Sequence, residues 1–364
     1  MDFAVLCAAL ALPNSALLPA LRHCGSPAEL LEAPPDDLAQ FFDATALKSI
    51  KNWQKRGRPP PAYQSYLEAL RRTDAHTMAC TDADYPPLLN EIGGPPALLF
   101  VRGERPCLSM PQVAMVGSRK ASRAGEQTAA EFAADLGAAG LAVTSGLALG
   151  IDRAAHLGAL RAQAPTLAVM GTGIDRIYPP RHRELAERIL QGGGALISEF
   201  VPGTAPLPRH FPQRNRVVTG LSLGVVVVEA GERSGSLISA RLAAEQGREV
   251  FAVPGSVRSP VAAGCHRLIR DGATLVTSAR QIMEPLLPML NFQIQAQPDT
   301  PENAENSSTA EPDHWLIKEM DFAPISVDEL CTRCNKPAAE ITAALVDLEL
   351  LGRVEATETG YRRI

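Results

Sequence analysis

Short, continuous apolar runs dominate the middle of this sequence, and each run ends in a turn that leads into a helical stretch. Residues 225–228, four consecutive valines, are the clearest case. A half-exposed strand alternates apolar and polar side chains, whereas a strand covered by helices on both faces is apolar at nearly every position. The pattern therefore predicts a parallel α/β sheet with strands over residues 97–101, 113–116, 141–144, 167–170, 195–198, 225–229, 250–253 and 274–276.

The repeated order of strand and helix predicts a Rossmann-like, doubly wound and mostly parallel sheet over residues 85–290. Residues 1–84 are predicted to form a small module of short helices separated by prolines. Residues 291–311 carry four acidic and no basic residues and are rich in polar side chains and proline, which predicts a flexible linker. Residues 312–364 predict a winged helix-turn-helix, with helices over 315–320, 326–331 and 338–351 and a final two-stranded ribbon.

Composition excludes several classes of protein. The chain of 364 residues is 46% hydrophobic, which is typical of a globular protein. No apolar run approaches the roughly 18 to 20 residues of a membrane span, and residues 3–12 lack the basic flank of a signal peptide, so we expect a cytoplasmic protein with no membrane contact. The seven cysteines are scattered, and the pair Cys331 and Cys334 has no second pair to complete a zinc site. We therefore expect reduced thiols, no metal and no cofactor.

Positive charge is concentrated in the central segment. Residues 85–290 contain 21 Lys and Arg against 16 Asp and Glu, although the whole chain carries a formal charge of −5. Twenty of those 21 cations are arginines, whose planar guanidinium groups suit bidentate contact with phosphate. A coding bias toward arginine explains the same count equally well, because arginine also outnumbers lysine elsewhere in the chain.

The turns that follow the predicted strands form a candidate anion-binding edge. The strand 113–116 runs into Gly117-Ser118-Arg119-Lys120 and then into helix signals from residue 122, an arrangement that favours an anion at the helix N-terminus. Its spacing matches neither G-x-G-x-x-G nor a P-loop, so a mononucleotide is not the obvious ligand. Since the carboxyl ends of parallel strands meet at one edge, further small-residue turns should join this surface, including Gly146, Ser234, Gly235 and Ser236.

A second basic segment lies at residues 209–216. It places three arginines beside an aromatic ring and an amide, namely Arg209, Phe211, Arg214, Asn215 and Arg216. Such a set can hold a chain of phosphates with one base stacked on Phe211. The alternative interpretation buries Phe211 in the core and pairs Arg214 and Arg216 with Glu199 or Glu229 inside the fold.

Catalytic residues are not indicated. Asp152 and His156 are four residues apart on one predicted helix, where a local hydrogen bond is a more frequent arrangement than a catalytic pair. The segment from Ser234 to Ser236 lacks the G-x-S-x-G pattern of a nucleophile elbow. We therefore expect a binding protein rather than an enzyme.

Several segments, in order, resemble the DNA-processing protein DprA (Smf) family. They are V-G-S-R at 116–119, S-G-L-A-L-G-I-D at 145–152, G-T-G-I-D at 171–175 followed by Tyr178-Pro179, F-P-x-R-N-R at 211–216, S-G-S-L at 234–237 and V-P-G at 253–255. The resemblance covers about residues 85–285. A helical module of the SAM or helix-hairpin-helix type and a winged helix also flank this core in family members. Two positions depart from the family pattern, Leu149 in place of arginine and His266 in place of asparagine.

The resemblance implies a single-stranded DNA-binding protein of natural transformation, active in competence. Such a protein protects incoming DNA and loads the RecA recombinase for homologous recombination, commonly as a homodimer. Carried over by position, its DNA site comprises Gly117, Ser118, Arg119, Lys120, Phe211 and the neighbouring arginines. The predicted recognition helix of the winged domain contains Glu340, Asp347 and Glu349 and no cation, so charge predicts at most weak contact with duplex DNA.

Two other functions remain open at this stage. A nucleotide-binding Rossmann enzyme of the lysine-decarboxylase-like phosphoribohydrolase type also uses glycine-rich turns at strand ends. Such enzymes have a P-G-G-x-G-T turn with a nearby glutamate, which residues 230–236 do not reproduce. A protein-interaction scaffold is the third possibility.

Overall fold

The structure, a computed structural model, describes residues 1–296, 316, 325–334, 336–338, 341, 344–345, 348, 354–357 and 360–363. The chain divides into two compact units, Met1–Ile294 and Gln295–Ile364. Among the residues described, no helix is both long enough and apolar enough to cross a membrane.

A nine-stranded sheet forms the centre of the first unit, in the order β1-β2-β6-β5-β4-β3-β7-β8-β9. All neighbours from β6 through β9 pair in parallel, whereas β2 is antiparallel to both β1 and β6. The predicted doubly wound, mostly parallel α/β sheet is therefore confirmed. Its strands are β1 (Ala75–Ala79), β2 (Leu98–Gly103), β3 (Gln112–Val116), β4 (Ala142–Ser145), β5 (Thr166–Met170), β6 (Ala195–Ser198), β7 (Gly224–Val227), β8 (Glu249–Ala252) and β9 (Thr274–Leu275).

Helices cover both faces of the sheet, as the continuous apolar runs predict. On β3, Val113 and Met115 belong to one apolar cluster, and Ala114 and Val116 belong to the other. Alternate side chains of one strand thus enter two separate cores, which explains why residues 113–116 are all apolar. The helices are α7 (Pro87–Asn90), α8 (Arg123–Ala138), α9 (Ile151–Arg161), α10 (Arg183–Gln191), α11 (His210–Gly220), α12 (Ser236–Glu245), α13 (Ala263–Arg270) and α14 (Ala279–Ala296).

The strand order reverses at β3, and this reversal positions the site. The chain proceeds from β3 outward through β4 and β5 to β6, and then returns to place β7 on the opposite side of β3. In open α/β sheets, such a switch point leaves a crevice beyond the carboxyl ends of the two strands that flank it. The segments that follow β3 and β7 therefore face each other across that crevice.

The N-terminal segment is helical, as predicted, but it also supplies β1, which the sequence pattern did not reveal. Only the end of this edge strand is fully buried, so it lacks a continuous apolar run. Residues 35–56 form two helices, and Asp43 caps the second one by accepting a hydrogen bond from the Ala46 N–H. The helices are α1 (Phe3–Ala9), α2 (Asn14–Cys24), α3 (Pro27–Glu32), α4 (Pro35–Leu38), α5 (Ala44–Arg56) and α6 (Pro61–Thr73).

The second unit contains the predicted ribbon, formed by β10 (Val354–Thr357) and β11 (Gly360–Arg363). Helix α15 (Val327–Cys334) coincides with the predicted helix at 326–331. Most of the predicted helices at 315–320 and 338–351 lies outside the described residues. Helix α14 continues to Ala296, six residues into the predicted linker, and the rest of that linker also lies outside the described residues.

Candidate nucleic-acid interface

A cavity of about 940 Å³ lies at the switch point of the sheet, beyond the carboxyl ends of β3 and β7. Ten of the thirteen predicted site residues line it, namely Gly117, Ser118, Arg119, Lys120, Phe211, Arg214, Asn215, Ser234, Gly235 and Ser236. Gly146, Arg209 and Arg216 do not line it. The fold thus brings together three segments that are far apart in the chain.

The side-chain carboxylate of Glu229 lies at the N-terminus of α8. The Glu229 carboxylate accepts hydrogen bonds from the Ser122 backbone N–H at 2.8 Å and from the Ser122 hydroxyl at 2.5 Å. Gly125 lacks a side chain where a Cβ would clash with this carboxylate. The expectation of an external anion at this helix end is therefore wrong, because Glu229 binds the N-cap residue and the Gly125 N–H of the first turn donates to Ser122 Oγ.

The side chains of the first turn remain available. Arg119 and Lys120 are exposed, and neither forms an ion pair with any residue that the structure describes. Gly117 permits this turn to pack closely, since a Cβ there would lie 2.5 Å from Ile151 Cγ1. The turn thus presents two exposed cations on a tightly packed backbone.

Phe211 contacts both a cation and a second aromatic ring. The Arg119 guanidinium carbon lies 5.2 Å from the centroid of the Phe211 ring, and the Tyr178 ring centroid lies 5.7 Å from it on a tilted plane. The Phe211 ring also contacts Gly171, where a Cβ would lie 3.0 Å from Cδ1. Phe211 is consequently half-buried. Tyr178 was not among the predicted site residues, although it follows the glycine turn of β5 at the same edge.

Arg214 lines the cavity, but its side chain is almost entirely buried in the fold. Its side chain is buried and Nη1 donates to the Val169 carbonyl at 2.5 Å. Burial lowers the pKa of Arg214 to about 10, and the nearby Asp152 carboxylate opposes that shift. The predicted role of Arg214 as an exposed phosphate ligand conflicts with this placement, because almost none of its surface is open to solvent.

Gly146 contacts both Arg214 and Asp152. A Cβ at Gly146 would clash with the Arg214 guanidinium, which is buried and bonded to the Val169 carbonyl. The Gly146 N–H donates to Asp152 Oδ2 at 3.0 Å, and the Ala148 N–H donates to the same oxygen at 3.3 Å. Burial raises the pKa of Asp152, and Arg214 opposes that shift. The Gly146 amide therefore has an internal partner and is not the free donor that a direct DNA contact would need.

The remaining two arginines of the basic segment, unlike Arg214, do not line the cavity. Arg216 forms an ion pair with the buried Glu199 and donates to the Gly94 carbonyl at 2.7 Å. This pairing is the internal arrangement that the alternative interpretation describes. Burial raises the pKa of Glu199, and Arg216 opposes that shift. Arg209 is exposed at the start of α11 but outside the lining, since helical spacing places Phe211, Arg214 and Asn215 on one side of α11.

The opposite wall of the cavity follows β7. Ser234 Oγ and Ser236 Oγ are 2.6 Å apart, and the Ser236 N–H donates to Ser234 Oγ at 3.3 Å. Arg233 is an exposed cation on this wall, in the turn formed by residues 230–236. It was not among the predicted site residues. Four cations therefore line the cavity, namely Arg119, Lys120, Arg214 and Arg233, against one carboxylate, that of the buried Asp152.

Asp152 and His156 are not paired with each other. Asp152 accepts from backbone amides, whereas His156 Nδ1 lies 2.7 Å from Thr166 Oγ1 in the core. Complete burial lowers the pKa of His156 to about 3, so its imidazole is neutral at physiological pH. In the part of the chain that the structure describes, no cluster of three or more His, Cys, Asp or Glu side chains could hold a metal.

Comparison with known proteins places this geometry in a family. The sequence profile of DNA recombination-mediator protein A matches residues 76–287, and that of the DprA winged helix domain matches residues 298–358. The chain belongs to the DNA recombination-mediator protein A family. Protein Smf of Escherichia coli K12 is 41% identical over 310 residues, which cover 84% of this chain and 82% of that protein.

Other members of this family are similar to the chain in sequence and in structure. The DNA processing protein DprA of Bacillus subtilis 168 is 36% identical over 79% of this chain and 96% of its own length. The X-ray structure of DprA from Streptococcus pneumoniae superposes with a TM-score of 0.66 at 36% identity, covering 77% of this chain and 95% of that one. DNA processing protein A from Helicobacter pylori, whose structure concerns its single-stranded DNA binding mode, has a TM-score of 0.53 at 28% identity over 59% of this chain and 96% of that one.

Proposed function

We propose that this protein binds single-stranded DNA in natural transformation, with the phosphates held at the cavity beyond β3 and β7. The observation that carries the proposal is the charge of this cavity, which has four lining cations and a single, buried carboxylate. Three of these cations, Arg119, Lys120 and Arg233, are exposed. Contacts of this kind act on the phosphate backbone and are therefore independent of base sequence.

The predicted residues have two proposed roles, contact with DNA and support of the cavity. Arg119 and Lys120 contact phosphates directly, with Ser234 and Ser236 as polar contacts on the facing wall. Gly146 and Arg214 instead support the turn beneath the cavity, because their polar groups bond inside the fold. Arg216 supports the position of α11 through Glu199.

The finer parts of the proposal rest on family membership. They are protection of incoming DNA, loading of the RecA recombinase and assembly as a homodimer in the cytoplasm. Binding rather than catalysis is the proposed activity. The winged helix is proposed to give weak contact with duplex DNA at most, because the charge of residues 338–351 is unfavourable.

Titration of a dT oligomer at two or more salt concentrations tests the proposal. The variant Arg119→Ala with Lys120→Ala should weaken binding to oligomers of every sequence and flatten the slope of log affinity against log salt by about 0.7 for each lost phosphate contact. The matched control is Arg183→Ala with Arg188→Ala, which removes two exposed arginines of α10 outside the cavity. An unchanged slope and affinity in the first variant contradicts the assignment, and full competition by a mononucleotide favours the enzyme alternative.

A further inference from the structure

Tyr178 is a large aromatic side chain that the fold leaves exposed at the edge of the cavity. It is 43% exposed, and it lines the same cavity as Arg119 and Phe211. Within residues 1–296, its hydroxyl forms no hydrogen bond. An exposed aromatic ring at the edge of a cavity lined by cations is suited to stacking a flat ring of a bound ligand.

The Phe211 ring is in contact with other groups of the protein, including Tyr178, and has little surface left for a base to stack on. The Phe211 ring has Gly171 against one edge and the Arg119 guanidinium 5.2 Å from its centroid. The Tyr178 and Phe211 centroids are 5.7 Å apart with an interplanar angle of 43°. A base inserted between two rings needs two stacking separations of about 3.5 Å each, or about 7 Å. The gap is too narrow, so a base stacks on the outer face of Tyr178.

We propose that Tyr178 is a nucleobase-binding residue, on whose exposed face one base of a bound single strand stacks while Phe211 braces the ring from behind. The inference rests on the proposed function and adds the contact that cations cannot provide. Arg119 and Lys120 hold the neighbouring phosphates. Every base has a stackable face, so this contact adds affinity without adding sequence preference.

Two probes of equal length separate stacking from charge: a dT oligomer and an abasic deoxyribose-phosphate oligomer. Tyr178→Ala should weaken binding of the dT oligomer about tenfold, in line with the loss of one stacked base, and leave its salt slope unchanged. The affinity for the abasic oligomer should not change. Tyr178→Phe should bind both probes as the parent protein does, because it keeps the ring. The control Leu287→Ala removes a 52% exposed apolar side chain outside the cavity and should have no effect.

Three results would overturn the inference: no loss with dT, an equal loss with both probes, or a comparable loss in Tyr178→Phe. Photocrosslinking of the unmodified protein to an oligomer that contains 5-iododeoxyuridine keeps the test decisive if Tyr178→Ala fails to fold. Attachment to the peptide that contains Tyr178 supports stacking there, and attachment only elsewhere refutes it. If the parent protein binds neither oligomer, the proposed function itself fails, a result distinct from binding that is indifferent to Tyr178.

Discussion

Replacement of Arg214 by methionine tests whether this arginine stabilises the fold or contacts DNA. Methionine keeps most of the side-chain length and removes both the positive charge and the hydrogen bond to the Val169 carbonyl. Asp152 then has no cation to offset its burial, although it still accepts from the Gly146 and Ala148 amides. We expect a folded but markedly less stable protein.

The magnitude follows from the cost of an unpaired buried charge. Removing one partner of a buried ion pair costs about 3 to 5 kcal/mol, and we expect about 3 kcal/mol because Arg214 and Asp152 interact through their charges without a direct ion pair. Burial already raises the pKa of Asp152, and loss of Arg214 raises it further. A raised carboxyl pKa in the folded state means that stability is lost as pH rises through that pKa. The difference between parent and variant should therefore be largest near pH 7 and shrink at lower pH.

Urea unfolding of a double-mutant cycle measures this coupling. Asp152→Asn should recover part of the stability lost in Arg214→Met, since it removes the buried charge and keeps an oxygen acceptor. Arg233→Met, which removes an exposed cation of the same cavity, should change stability by no more than about 0.5 kcal/mol. If Arg214→Met costs less than that, or if Asp152→Asn restores nothing, the reasoning from burial is refuted and a direct role of Arg214 in binding is favoured.

Two further predictions concern the winged helix and the buried histidine. Deletion of residues 297–364, which leaves α14 intact, should change the affinity for a dT oligomer by no more than about threefold, or about 0.7 kcal/mol. A tenfold loss of affinity in the folded, truncated protein would show that residues 338–351 contribute to binding despite their unfavourable charge. The pKa of His156 is lowered to about 3 in the folded state, so the unfolded chain binds the extra proton first and stability falls as pH drops below about 6.5. In His156→Gln the fall in urea midpoint between pH 7 and pH 5 should be smaller than in the parent, and an identical fall in both proteins would rule His156 out as a cause.

Much of the candidate site could be predicted because its segments follow strands. The turns after β3 and β7 were placed at one edge by the rule that parallel strands share a carboxyl end, and ten of the predicted residues do line one cavity. The contribution of Tyr178 was not predictable in this way. It lies several residues beyond the end of β5, and only its contact with Phe211 brings it to the cavity.

The sequence by itself determined every strand of the sheet except the edge strand β1, since a strand that is covered on both faces is apolar along its own consecutive residues. Val225 to Val227 are apolar at every position, and each of them is buried. Only the tertiary structure decided what each charged group does, because its partners are distant in the chain. Glu229 accepts hydrogen bonds from Ser122, the N-cap of α8, 107 residues away, and Arg214 donates to the Val169 carbonyl, 45 residues away. A side chain's apolarity is its own property, whereas the role of a charge depends on which groups the fold places beside it.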